Sequence, residues 1–130
     1  MKELRCIVFT ESEVINAIID RRRRLHEPLP EGTVRGLTFK NDGNVETTVK
    51  VEDDYGTDRS ITLREPEVAA ALISWCMNRR IPMPADSDKH LQVIKNGLTL
   101  MITMNFNKPA KLVTDDGETP AVKRAKARPR

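Results

Sequence analysis

Four consecutive arginines are the side chains of this sequence best suited to specific chemistry, because guanidinium groups bind carboxylates and phosphates through paired hydrogen bonds. The run consists of Arg21, Arg22, Arg23 and Arg24. It lies at the end of a predicted helix, where cations complement the helix dipole without any ligand. The run is therefore either an anion-binding patch or a charged helix end. The second interpretation is favoured, because Arg79 and Arg80 end the second predicted helix in the same way.

Arg22 differs from its neighbours in its position around the helix. At about 100° per residue it lies inside the apolar stripe that contains Val14 and Ile18, whereas the other three arginines lie outside it. Its aliphatic stem either packs over the edge of the core with the head in water, or its guanidinium meets a carboxylate there. We therefore expect Arg22 to contribute more to stability than Arg23.

Other patterns of catalytic or metal-binding residues are missing. Cys6, Cys76 and the two isolated histidines have no metal-ligand spacing. The acidic turn at 53–58 has Arg59 where a calcium loop needs glycine, and no glycine-rich phosphate loop occurs. We predict no catalytic residue, no metal and no cofactor. A small enzyme is the least favoured class, and it stays open only because groups from distant loops can converge.

The positive charge is concentrated near the carboxyl terminus. The chain has a formal net charge of +3, but residues 1–107 hold 15 Lys and Arg against 16 Asp and Glu. Residues 108–130 hold seven against three, together with three prolines and little hydrophobic periodicity. Such a segment cannot bury enough apolar surface to offset its ordering entropy. We predict a single domain at 1–107 followed by a disordered basic tail at 108–130.

The basic residues of this tail offer a second interpretation, a protein associated with nucleic acid. They are Lys123, Arg124, Lys126, Arg128 and Arg130. Together with the arginine run they would attract phosphates in a salt-dependent way. Against this, the body is nearly neutral and has only five aromatic residues for base stacking. A solubilising tail without a dedicated partner is therefore favoured.

Hydrophobic patterning predicts an α+β fold. The expected order is strand 4–9, helix 11–24, strands 33–40, 45–52 and 60–64, helix 66–80, and a final hairpin at 90–106. Thr10 and Glu13 form a capping-box pattern at the first helix, and Asn96-Gly97 predicts the last turn. We expect a mostly antiparallel sheet with both helices packed on one face and a solvated, threonine-rich opposite face.

The ends of the two predicted helices resemble each other. Both have arginines followed by two prolines that flank Leu or Met, in RRRRLHEPLP and RRIPMP. Independent helix-stop signals account for this similarity, with internal duplication as the alternative.

No apolar run approaches the roughly 20 residues of a membrane helix, and the amino terminus has charges where a signal peptide is apolar. We expect a cytoplasmic protein of bacterial type without membrane contact. The favoured function is a small non-enzymatic binding or regulatory module that acts on a protein partner. The sequence determines neither that partner nor the oligomeric state.

Overall fold

The computed structural model describes residues 1–106, which contain two helices and six strands. In chain order these are β1 (Lys2–Phe9), α1 (Glu11–Arg24), β2 (Thr33–Asp42), β3 (Asn44–Glu52), β4 (Asp58–Leu63), α2 (Glu65–Asn78), β5 (Asp88–Ile94) and β6 (Gly97–Asn105). The predicted α+β class and the predicted order of elements are confirmed.

The strands pair antiparallel, as expected, and they divide between two three-stranded sheets. The first sheet has the order β1-β6-β5 and the second the order β2-β3-β4. The division follows from the pairing partners of β1 and β4, the two strands that directly precede a helix. β1 pairs with β6 near the end of the described chain, from Lys2 opposite Asn105 to Phe9 opposite Leu98. β4 pairs instead with β3 of the preceding hairpin.

One hydrophobic core joins both sheets and both helices. Alternate residues of the two central strands are fully buried, including Val45 and Val49 of β3 and Leu100 and Ile102 of β6. This pattern arises because side chains alternate between the faces of a strand. The helices pack against each other, and each contacts both sheets. Each sheet thus has one face in the core, on the side where the helices lie.

The two halves of the chain repeat the same order of strand, helix, strand and strand. Both helices have 14 residues. Positions that are 54 residues apart are buried in both halves, namely Phe9 with Leu63, Val14 with Val68, Ala17 with Ala71 and Ile18 with Leu72. Pro-Leu-Pro at 28–30 corresponds to Pro-Met-Pro at 82–84 at the same spacing. The prolines of the two helix ends thus belong to a longer internal correspondence, whereas the arginines do not, because residues 75–78 stand where Arg21–Arg24 would correspond.

The outer faces of the two sheets differ in polarity. On the second sheet, the exposed face carries Thr48 and Thr62, whose hydroxyl oxygens lie 3.2 Å apart. On the first sheet, Thr99 is fully buried, and the exposed neighbours on the same face include Leu4 and Val8. The expected threonine-rich, solvated face is present on the second sheet, whereas the first sheet exposes apolar side chains.

Candidate functional site

The carboxyl-terminal turns of α1 and α2 enclose a small cavity of ≈ 50 Å³. From α1 it is lined by Ala17, Asp20, Arg21, Arg24 and the following Leu25, and from α2 by Ala71, Ser74, Trp75 and Asn78. The small side chains of the two alanines leave space between the helices. The cavity is therefore a consequence of how the two helices meet.

Two buried hydrogen-bond donors belong to residues that line this cavity. Arg21 Nε and Trp75 Nε1 are buried and have no hydrogen-bond acceptor within residues 1–106. Leaving a buried donor unpaired costs about 1–3 kcal/mol. A cavity of ≈ 50 Å³ has room for about three to five water-sized groups. This is room enough for a single oxyanion such as a carboxylate.

The Trp75 indole is also in contact with Arg79. The guanidinium carbon of Arg79 lies 3.2 Å from the centre of the indole ring. Nη1 of Arg79 also donates to the Trp75 carbonyl oxygen at 3.5 Å. This cation–π contact fixes the ring and adds positive charge near the cavity. Among the lining residues, Arg21 and Arg24 are cationic and Asp20 is anionic, so the local charge favours an anion.

The structure separates the four arginines predicted as a group. Arg21 and Arg24 line the cavity, and Arg23 is exposed. Arg22 approaches α2, where its Nε lies 3.5 Å from Glu67 Oε2, close enough for an ion pair although this buried Nε makes no hydrogen bond within residues 1–106. A carboxylate partner was one of the two arrangements expected for Arg22, and it is the one found. The run is therefore not one continuous patch, because one of its members is occupied by an internal ion pair.

Replacing Arg22 with alanine should lower the free energy of unfolding by about 1–2 kcal/mol, whereas Arg23→Ala should change it by less than about 0.5 kcal/mol. The side chains of Arg22 and Glu67 are 14% and 33% exposed, so the substitution leaves a partly buried carboxylate without its cation. Urea denaturation of both variants measures the difference. Equal midpoints would show that the ion pair contributes nothing.

Short-range sequence patterns give no sign that Trp75 belongs with the arginine run. The internal correspondence contains the missing signal, because Trp75 stands 54 positions after Arg21. Equivalent positions of the two helices thus meet at the cavity. The other basic residues predicted for anion or nucleic-acid binding lie outside the described residues, as does the predicted tail at 108–130; they are Lys123, Arg124, Lys126, Arg128 and Arg130.

Neither cysteine lies at the cavity. Cys76 is buried, and burial raises the pKa of its thiol; the Glu13 carboxylate raises this pKa further, against the opposing effect of Arg79. Cys6 is exposed on the first sheet, with its Sγ 3.6 Å from Met101 Sδ. Within residues 1–106, no three His, Cys, Asp or Glu side chains are grouped so that they could hold a metal ion.

The chain matches no family model, no curated protein and no solved structure. Neither helix within residues 1–106 has the length and apolar character needed to span a membrane.

Proposed function

We propose that this protein is a non-enzymatic binding module that recognises a carboxylate of a protein partner between the ends of α1 and α2. The observation that supports this most strongly is the pair of buried donors, Arg21 Nε and Trp75 Nε1, at one cavity. Both atoms are hydrogen-bond donors, and neither has an acceptor within residues 1–106. A ligand with oxygen acceptors would satisfy the hydrogen-bonding capacity of both. An acidic side chain or a chain-terminal carboxylate of the partner has this chemistry.

The size and setting of the cavity favour a carboxylate over a nucleic-acid backbone. A volume of ≈ 50 Å³ admits one small group in a recess between helices. Duplex DNA is instead bound through many phosphates over a wide basic surface. Asp20 also lines the cavity and would repel a more highly charged phosphate more strongly than a carboxylate.

The test is the binding of a dye-labelled hexaglutamate peptide to the full chain, followed by fluorescence polarisation. The glutamate peptide should bind and its hexaglutamine analogue should not. Arg21→Ala should weaken binding about tenfold or more, because it removes a charge-assisted hydrogen bond. Trp75→Phe removes only the indole donor and should weaken binding less. Trp75 is the single tryptophan, so its own fluorescence should change on binding to the wild type.

The matched control is Arg23→Ala, which removes the same charge from an exposed neighbour that does not line the cavity. Its affinity should remain within about twofold of the wild type. Equal losses for Arg21→Ala and Arg23→Ala would show general charge attraction and contradict the proposal. Tighter binding of a short duplex DNA than of the peptide, unaffected by Arg21→Ala, would support the nucleic-acid alternative instead.

A further inference from the structure

The first strand, β1, is a sheet edge within residues 1–106 that combines a regular register with apolar side chains on its outer face. It pairs with β6 through eight consecutive residue pairs without a bulge. Its outward-facing residues include Leu4 and Val8, which are 57% and 61% exposed. Bulges, polar outer faces, short strands and charged side chains are the common ways to protect an edge. Of these, β1 has only the charges, with Lys2 on the outer face and Glu3 and Arg5 on the face toward the core.

The other three sheet edges do show such protection. β2 has an irregular register between Val34 and Gly36. β4 has six residues and turns Ser60 and Thr62 to its outer face. β5 turns Asp88, His90 and Gln92 outward, in register with the outer residues of β6. Among residues 1–106, β1 is thus the edge best suited to accept another strand.

The hydrogen-bonding pattern shows which backbone groups of β1 face its free edge. The amide of Phe106 donates to the Met1 carbonyl oxygen at 2.9 Å, and this pair continues the register of β1 with β6. In an antiparallel pair, hydrogen-bonded and non-hydrogen-bonded positions alternate. Odd-numbered residues therefore bond to β6. The backbone amides and carbonyls of the even-numbered residues point, in the plane of the sheet, toward the free edge of β1. These residues are Lys2, Leu4, Cys6 and Val8.

The charges on β1 distinguish between the possible self-pairings. A twofold axis at Leu4 places Glu3 of each copy opposite Arg5 of the other, which gives two opposite-charge pairs. An axis at Glu3 or at Arg5 places like charges opposite each other, which is destabilising. An axis at Cys6 places Glu3 and Arg5 opposite the apolar Phe9 and Ile7. Glu3 and Arg5 already share one face of the sheet, with Arg5 Nε 3.9 Å from Glu3 Oε2, and both are largely exposed.

We infer that a second copy of this chain pairs antiparallel with β1 about a twofold axis at Leu4. The first sheets of the two copies then form one continuous six-stranded sheet. Leu4 meets Leu4 of the second copy as a hydrogen-bonded pair, flanked on each side by a Glu3–Arg5 pair. This dimer is independent of the carboxylate cavity, which lies at the helix ends.

The pairing is tested by reversing the charges of β1 in the full chain. Analytical ultracentrifugation then measures the molecular mass of each variant in solution. The wild type should be a dimer. Glu3→Arg and Arg5→Glu should each raise the dissociation constant about tenfold or more, because each variant replaces two opposite-charge pairs by two like-charge pairs. The double variant Glu3→Arg/Arg5→Glu should restore the dimer, because it exchanges the signs within each pair. Lys50→Glu, an exposed charge change on the outer face of the second sheet, is the control and should leave the dimer unchanged.

Cross-linking tests the register. In the Cys6→Ser background, Leu4→Cys should form a disulfide between copies, since Cα atoms of a hydrogen-bonded pair lie about 5.5 Å apart. Val8→Cys in the same background should not, because the two copies of residue 8 lie on opposite sides of the axis, about 26 Å apart along the strands. Cys76 is buried and is common to both variants.

Several outcomes would overturn the inference. A monomer at every concentration excludes self-pairing. A dimer that resists both charge reversals uses another surface. Cross-linking through Cys6 of the wild type or through Val8→Cys, with none through Leu4→Cys, would place the axis elsewhere. Circular dichroism of each variant verifies that the exposed substitutions leave the fold intact.

Discussion

Replacing Glu65 with alanine should lower the free energy of unfolding by about 2–5 kcal/mol, through the loss of two charge-assisted hydrogen bonds. Glu65 is the first residue of α2. Its Oε1 accepts from the Val45 amide at 2.8 Å and its Oε2 accepts from the Leu91 amide at 3.3 Å. Both donor residues are buried, with 1% and 3% of their surface exposed, so water cannot easily replace the carboxylate.

The large effect is expected because Glu65 joins the two sheets. Val45 belongs to β3 of the second sheet and Leu91 to β5 of the first, and these sheets share no strand pairing. One carboxylate at the start of α2 therefore holds the helix and both sheets in place. Its negative charge also suits the positive end of the helix dipole.

Urea denaturation of matched variants measures this contribution. Glu65→Gln keeps one acceptor oxygen, so it should lose less stability than Glu65→Ala. Glu46→Ala removes an exposed carboxylate from β3 and should change the free energy of unfolding by less than about 0.5 kcal/mol. If Glu65→Ala were no more destabilising than Glu46→Ala, the hydrogen bonds of Glu65 to the two sheets would not contribute to stability.

Gly32→Ala should be similarly damaging, with a loss of about 3 kcal/mol or more, because backbone strain and steric overlap add together. Gly32 has a φ of +138°, which side chains with a Cβ rarely adopt. An added Cβ would also overlap the Glu52 carbonyl oxygen and lie 2.8 Å from its carbon. These are backbone atoms at the end of β3, so they cannot rotate away.

Substitutions at two other glycines distinguish the effect of backbone strain from the effect of steric overlap. Gly43 has a φ of +83° but open space around it, so Gly43→Ala should cost only the backbone strain, about 1 kcal/mol. Gly36 has open space and no positive φ, so Gly36→Ala should be nearly neutral. Thermal and urea unfolding of the three variants should give the order Gly32, Gly43, Gly36 in decreasing damage. Equal losses for Gly32→Ala and Gly43→Ala would exclude the steric contribution.

The parts of the fold that depend on neighbouring residues could be predicted from the sequence. The capping box is present: the Thr10 amide donates to Glu13 Oε1 at 2.9 Å, and the Glu13 amide donates to Thr10 Oγ1 at 3.1 Å. Strict alternation predicted the last strand, and the helical stripe of Val14 and Ile18 is buried. These patterns report burial directly, because one side of each element must face the core.

The candidate site could be predicted only in part. The arginine run was identified from its residue type, and the internal partner of Arg22 was one of two expected arrangements. The role of Trp75 was missed, because an aromatic residue near an apolar stripe is ordinarily a core residue, and the position of its N–H depends on the neighbouring helix. The link that Glu65 makes between the two sheets could not be predicted either, because it also depends on residues that are distant in the sequence. Glu65 directly precedes the predicted helix at 66–80, where a carboxylate suits the helix dipole, whereas its hydrogen-bond donors come from strands 20 residues before and 26 residues after it.

The amino-acid sequence by itself determined the class of the fold, the order of its elements and the face that each one buries, since these follow from short-range periodicity and capping. Only the tertiary structure decided that the strands divide into two sheets, that Arg21 and Trp75 line one cavity, and that β1 is an open edge among residues 1–106. Each of these depends on residues far apart in the chain. Many pairings satisfy the same local patterns, and the packing of one shared core selects among them.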